Sequence, residues 1–296
     1  MNDSFQNSFR LSNIKCATLC LDDLRKLFEI IKIYNEESKK FQSDYIDENR
    51  KKADRTFTDE EVLQFKNDLI NKYVVGVEIY TKKGQYSRTF NPDEAFDKNK
   101  IADDVNKIVI SNTPLFNIQK ELIQPYKIIV ELDFSKTTLL DLASNPSFET
   151  YNSSKVEIWG LVESWVDGVH DKIIDFFKER KNNRQWLHRK NIYDLFLWVL
   201  IVPIIFWNMI KIDYWLKSKV NNLSSVITVF IYIYIFIVTL LIFNLLFKYL
   251  RHSFPSMELK SNFNTKGKMI RSLILVVASG IGIKYLIDIT IGIISL

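Results

Sequence analysis

The spacing of apolar residues along the chain changes at about residue 185. Before that point, apolar positions recur every two to four residues between charged ones. After it, three apolar runs cover about residues 191–210, 226–247 and 272–296. A helix needs about 20 apolar residues to cross the hydrocarbon of a bilayer. The pattern therefore predicts a domain over residues 1–185 and a transmembrane region over 186–296 with three helical spans, the first kinked at Pro203.

Helical spacing appears in three places before residue 185. A first helix opens at Asp22, and residues 43–55, which lack periodicity, are expected to form a surface loop or a frayed helix end. Thr58 and Glu61 have the spacing of a capping box, which predicts a second helix with Val62, Phe65, Leu69 and Ile70 facing inward. A third helix is predicted from Leu161 to about residue 181.

Strand patterns account for most of the remaining residues before 185. Asn91 followed by Pro92 is typical of a helix start between two of these strands. Strands in series without intervening helices are usually antiparallel neighbours. The order predicts an α+β domain with a mostly antiparallel sheet and about three helices. The predicted strands cover residues 13–20, 74–81, 85–90, 107–110, 127–134 and 155–159.

The charges divide at the same place as the apolar pattern. Residues 1–185 carry a formal net charge of −3 and residues 186–296 one of +8, which together make the +5 of the chain. The basic residues are dense before the first apolar run, sparse after it and dense again after the second, which is the pattern of a cytosolic amino terminus. No apolar secretion signal opens the chain. We therefore expect a protein of the inner (cytoplasmic) membrane whose partner is the lipid bilayer, with its carboxyl terminus on the far side, and nothing points to nucleic acid.

A basic stretch joins the third predicted helix to the first apolar run. Such a stretch can lie on anionic headgroups, can act only as a topology signal, or can form a lever between the two domains. We take it as a membrane-surface and coupling segment. Its residues are Arg180, Lys181, Arg184, Trp186, Arg189 and Lys190.

The third apolar run carries polar and small residues on one helical face. At 100° per residue these positions fall within one sector. A charge that faces lipid is costly, so the face is expected to contact protein or water, although Lys284 could instead extend to the outer headgroups and pair with Asp288. The predicted polar stripe consists of Gly280, Lys284, Asp288, Gly292 and Ser295.

No motif of known chemistry occurs before residue 185. There is no glycine-rich phosphate loop, nucleophile elbow or kinase signature, and the chain has only 8 glycines. Cys16 and Cys20 lack the further ligands of a zinc site. The carboxylates of Asp133 and Glu157 are expected on the polar face of their strands. We therefore expect no catalytic residue, no metal and no cofactor, and not an enzyme.

A cytosolic domain without catalytic motifs, joined to a compact membrane region, resembles in layout the membrane effectors of bacterial immune systems. The layout implies that the cytosolic domain senses a small-molecule or protein signal, possible roles including antiphage defence. Three spans with one polar stripe cannot enclose a pathway alone, so this hypothesis requires a homo-oligomer that forms a pore or perturbs the membrane. The alternatives are a membrane-tethered scaffold or adaptor without transport activity and a membrane-bound enzyme with an unrecognised site.

Overall fold

The computed structural model describes residues 8–52, 58–97, 105–114, 125–138, 145–219 and 224–260. These residues divide into two compact units. The sheet unit holds the described residues up to 135, together with 152–183 and 256–260. The helical unit holds 136–151 and 184–255, again within the described ranges. The predicted third span and the polar stripe from Gly280 to Ser295 lie outside the described residues.

The sheet unit contains a six-stranded sheet in which every neighbouring pair is antiparallel. This confirms the prediction of an antiparallel sheet domain with helices. The strands alternate buried and partly exposed residues, as expected when one face of a sheet covers the core. In spatial order they are β1 (Ser8–Asn13), β7 (Lys155–Gly160), β6 (Lys127–Asp133), β5 (Val105–Ser111), β3 (Gly76–Thr81) and β4 (Tyr86–Thr89).

Four helices accompany this sheet. They are α1 (Leu21–Lys52), α2 (Asp59–Ile70), α3 (Pro92–Ala95) and α4 (Glu163–Glu179). The capping box of Thr58 and Glu61 is present at the start of α2, and Asn91 caps α3 with Pro92 at its first position. Helix α4 packs closely on β7, since a Cβ added to Gly160 would lie 2.7 Å from Cγ2 of Val166.

The surface-loop alternative for residues 43–52 is wrong, and so is the predicted orientation of Phe65. Residues 43–52 form the end of helix α1, where Phe41 and Ile46 pack against the core, a contact that the surrounding charges hide in the sequence. Phe65 of α2 is 51% exposed rather than inward-facing. Instead, α2 turns Lys66 toward α1, where its Nζ lies 2.5 Å from Oδ1 of Asp47.

The predicted strand over residues 13–20 is two strands in two different sheets. Strand β1 ends at Asn13, and after a short turn β2 (Ala17–Cys20) pairs in parallel with β8 (Met257–Lys260). Ala17 is aligned with Met257 and Cys20 with Lys260. Nothing in the sequence predicted β8, because its partner strand lies more than 200 residues earlier in the chain.

The helical unit contains two helices that are long and apolar enough to cross a membrane, over Ile192–Tyr214 and Ser225–Ser253. The first apolar helix comprises α5 (Ile192–Phe196), a π-helical turn (Leu197–Ile201) and α6 (Val202–Lys219). The second is α7 (Ser225–Ser253), in which none of residues 225–246 is buried. The π-helical turn ends two residues before Pro203, which has no N–H to donate to the preceding turn.

A buried polar network joins α1 to the sheet. Asn112 Nδ2 donates to Oδ1 of Asn35 and to the carbonyl of Tyr126, each over 3.2 Å, and Asn112 Oδ1 accepts from the Ile128 N–H over 2.8 Å. Asn35 Nδ2 in turn donates to the Tyr73 carbonyl over 2.8 Å. Polar groups buried in this way stabilise the fold only while each keeps its partner.

We expect Asn112→Ala to lower the free energy of unfolding by roughly 2–4 kcal/mol, because the Ile128 N–H and the Asn35 amide would lose a buried partner. Thermal unfolding of the detergent-solubilised chain, followed by circular dichroism, measures the change. Asn106→Ala in β5 is the matched control, since Asn106 is partly exposed. Equal stability of the two variants would contradict a role for the network.

Candidate functional site at the base of the apolar helices

The chain leaves the sheet unit after Asn183 and returns to it at Ser256. Inside the sheet unit, the residues on either side of this excursion are hydrogen-bonded. Asn182 Nδ2 donates to the Ser256 carbonyl over 3.0 Å, and the same carbonyl accepts from the Ala17 N–H over 3.2 Å. Asn152 Nδ2 donates to Oγ of Ser256 over 3.1 Å. The residues at which the chain leaves and re-enters the sheet unit are therefore hydrogen-bonded to each other beside β2.

A second set of contacts, within the helical unit, joins the same two stretches of chain at the base of the apolar helices. We call it the junction: Phe148, Thr150, Leu187, His188, Arg189, Arg251 and Phe254. Arg251 belongs to the last turn of α7, and residues 187–188 end a 3-10 helix over Asn183–His188. The junction therefore connects the segment before the first apolar helix to the end of the second.

Arg251 is the centre of the junction. Its residue is only 5% exposed, and its three nitrogens donate to three backbone carbonyls: Leu187 over 3.0 Å, Phe148 over 3.0 Å and Arg189 over 3.3 Å. The guanidinium also lies 4.9 Å from the ring centroid of Phe247. None of the described carboxylates forms an ion pair with it. A planar group with five donors can bind several carbonyls at once, which a lysine cannot do in the same geometry.

His188 makes a second contact between the two stretches. Its Nε2 lies 2.7 Å from the Phe254 carbonyl and its Nδ1 lies 2.9 Å from Oγ1 of Thr150. Because a carbonyl only accepts, Nε2 carries a hydrogen. Burial lowers the pKa of His188; the Phe254 carbonyl opposes that change, and the charges of Arg251 and Arg184 add to it. His188 therefore prefers to be neutral in the junction.

The loop over residues 145–151 is held against the start of the first apolar helix. Ser147 Oγ donates to Oδ1 of Asp194 over 2.7 Å, and the Asn191 N–H donates to the Ser147 carbonyl over 2.8 Å. Asn191, which precedes α5, has a φ of 64°, in the left-handed region that asparagine tolerates better than most residues. The Thr150 N–H donates to the His188 carbonyl over 3.1 Å.

Aromatic rings continue the junction along the helices. Tyr193 stacks on Phe243, with ring centroids 5.0 Å apart, and meets Phe247 edge-on at 5.3 Å. Phe196 lies 6.4 Å from Phe247. These rings, with Leu187, form a small apolar cluster that is separate from the core of the sheet unit.

The structure divides the predicted coupling residues into two groups. Arg180 is in the sheet unit, where its Nε lies 2.7 Å from Oδ1 of Asp23 and its guanidinium stacks 3.7 Å from the ring centroid of Phe176. Four of the remaining coupling residues have exposed side chains: Lys181, Trp186, Arg189 and Lys190. Arg184 is half-buried beside Phe254. In the sequence, Arg251 is only one of the basic residues that follow the second apolar run and indicate orientation.

The carboxylates considered earlier also have structural partners. Asp133 is 7% exposed, which corrects its assignment to a solvated face. Burial raises its pKa, but hydrogen bonds from Ser135 and Ser153 outweigh this and the pKa lies below its ordinary value. Glu157 is half-buried in an ion pair with Lys155. In the part of the chain that the structure describes, no three His, Cys, Asp or Glu residues are grouped as metal ligands.

Comparisons of the chain with protein-family models, with curated proteins and with solved structures found no match.

We expect Arg251→Met to weaken the junction by roughly 2–4 kcal/mol, because three backbone carbonyls, that of Leu187 buried, would lose a charged donor. Hydrogen exchange of the solubilised chain should show faster exchange in residues 184–191. Arg88→Met is the matched control, since Arg88 pairs with Glu78 in the β3–β4 hairpin of the sheet unit. Unchanged exchange in the Arg251 variant would contradict its central role.

We expect the junction to lose stability as the pH falls below about 6.5, the ordinary pKa of histidine. The folded pKa of His188 is lowered, so its stabilising contribution is present above 6.5 and is lost as the pH falls through the folded pKa. Exchange in residues 184–191, corrected for intrinsic rates, should rise between pH 7.5 and 5.5. His188→Gln should remove this dependence, and if it persists, another group is responsible.

Proposed function

We propose that the protein is a membrane effector whose cytosolic sheet unit responds to a small-molecule or protein signal and whose apolar helices form a pore or perturb the bilayer as a homo-oligomer. The two candidate spans support a membrane location. The layout resembles that of effectors in bacterial immune systems, and antiphage defence in the inner membrane is the setting we propose.

The observation that carries this proposal is that the two-helix excursion is connected to the sheet unit at both of its ends, which we call the double connection. A tether needs one linker, and that linker can be flexible. Here the chain enters the apolar helices after Asn183, comes back at Ser256 and continues as β8, which pairs with β2 beside the start of α1. A change at β2–β8 in the sheet unit would therefore pull on both ends of the helical excursion through the covalent chain.

The double connection also bears on orientation. Both ends of the two-helix excursion meet residues of one sheet unit, so two helices that cross a bilayer would begin and end on the same side of it. Basic side chains are dense at both of these ends and sparse between the helices. Under the positive-inside rule, this side is the cytosolic one.

An oligomer is needed for any pathway through the membrane. Two helices cannot surround a channel, and the side chains of α7 remain exposed or partly exposed over residues 225–246. The predicted stripe of Lys284 and Asp288, outside the described residues, would supply the polar lining. A scaffold would leave the connection at the second end of the excursion without a purpose.

We expect the purified full chain to be an oligomer in detergent and to release a small dye from liposomes. Light scattering coupled to size exclusion measures the mass, and fluorescence dequenching measures the release. A monomer that inserts without releasing dye would support the scaffold alternative and contradict the effector proposal.

A variant pair tests whether β8 takes part. Met257→Ala should raise or lower the rate of dye release at least fivefold at equal insertion into the liposomes. The reason is that it removes buried apolar contacts of β8. Lys260→Ala, on the exposed end of the same strand, should release dye like the parent chain. Equal release by both variants would contradict coupling through β8.

A further inference from the structure

Exposed basic residues and an exposed tryptophan lie on one short segment before the first apolar helix. We call this segment the basic turn: Arg184, Trp186, Arg189 and Lys190. Trp186 is 49% exposed, and the side chains of Arg189 and Lys190 are exposed as well. Neither Arg189 nor Lys190 forms an ion pair with a described residue. These cations are therefore available to an anionic ligand.

The charge beneath the basic turn is also positive. Arg251 donates hydrogen bonds to the carbonyls of Leu187 and Arg189. A buried guanidinium therefore fixes the backbone of the basic turn. Lys248, one turn earlier in α7, is buried too. Asp194, the carboxylate nearest to the basic turn in the chain, accepts a hydrogen bond from Ser147. The exposed Arg189 and Lys190 are therefore the two cations of the basic turn that can bind an anion.

The position of the basic turn indicates which anion. Helix α5, which begins the first candidate span, starts at Ile192, two residues after Lys190. The Trp186 ring lies 6.1 Å from the ring of Phe196 inside that span. Tryptophan next to the end of a span prefers the depth of the lipid headgroups, and basic residues at that depth are drawn to anionic lipids.

We infer that the basic turn binds the phosphate of anionic phospholipid headgroups, with Arg189 and Lys190 as the main ligands, Arg184 beside them and Trp186 at the headgroup boundary. The inference rests on the membrane location in the proposed function and adds the lipid class to it. Arg251 is a positioning residue, since its own donors are occupied by carbonyls. No chemical step is involved, only exchange of counterions for a lipid phosphate.

Native mass spectrometry of the full chain in detergent tests this inference. Phosphatidylglycerol and phosphatidylcholine with identical acyl chains are titrated separately, and the occupancy of each is measured. We expect phosphatidylglycerol to bind at least tenfold more tightly. Arg189→Gln/Lys190→Gln should weaken phosphatidylglycerol binding roughly 10- to 30-fold, as expected for two basic residues near a headgroup. Phosphatidylcholine binding should change little.

The matched control is Lys82→Gln/Lys83→Gln, which removes the same charge from the exposed turn between β3 and β4 in the sheet unit. This variant should prefer phosphatidylglycerol to phosphatidylcholine as strongly as the parent chain does. Equal binding of the two lipids by the parent chain, or a full preference in the Arg189/Lys190 variant, would overturn the inference. Displacement of phosphatidylglycerol by inorganic phosphate would assign the site to a soluble anion and would overturn it as well.

A second measurement does not depend on detergent. Hydrogen exchange of the full chain in vesicles should slow in residues 184–191 when phosphatidylglycerol replaces phosphatidylcholine, and the Arg189/Lys190 variant should lose most of this protection. Dye release separates this inference from the proposed function. Dye release from phosphatidylcholine vesicles without any lipid preference would support the effector proposal and overturn the lipid site. A lipid preference without dye release would support the lipid site and contradict the effector proposal.

Discussion

Arg251 forms three charge-assisted hydrogen bonds to carbonyls from two different stretches of chain, and the helical unit is organised around them. The carbonyls of Leu187 and Arg189 belong to the segment that enters the first apolar helix, that of Phe148 to the preceding loop, and Arg251 itself ends the second helix. If the two helices cross a bilayer as proposed, apolar side chains alone cannot define such a meeting point, because lipid competes equally well for them. A buried guanidinium can define it, because separating the two stretches would leave buried donors and acceptors unsatisfied, each at a large desolvation cost.

The parts of the fold that were predicted correctly depend on residues close together in the chain. The capping box of Thr58 and Glu61, the hairpin of β3 and β4, and the alternation in β5, β6 and β7 all have causes within a few residues. Antiparallel pairing followed because consecutive strands tend to be neighbours. Both described apolar helices were also predicted, since length and the absence of charge determine them almost alone.

The features that were missed depend on distant parts of the chain. Strand β8 has four residues, and only its pairing with β2 across the whole helical excursion makes it a strand. The burial of Asp133 required the loop that carries Ser153, and the exposure of Phe65 required the rotation of α2 against α1. At the candidate site, the basic residues were predicted as a set, but their separation into Arg180 with Asp23, Arg251 with carbonyls, and exposed Arg189 and Lys190 needed coordinates.

The two apolar helices are held together by polar contacts near both ends. At the base, Arg251 makes three hydrogen bonds and His188 adds contacts to Thr150 and Phe254. At the opposite end, Tyr232 donates to Oδ1 of Asp213 over 2.7 Å. A hydrogen bond to a charged group is worth about 1.5–3 kcal/mol, so the contacts near both ends stabilise the pairing of the two helices.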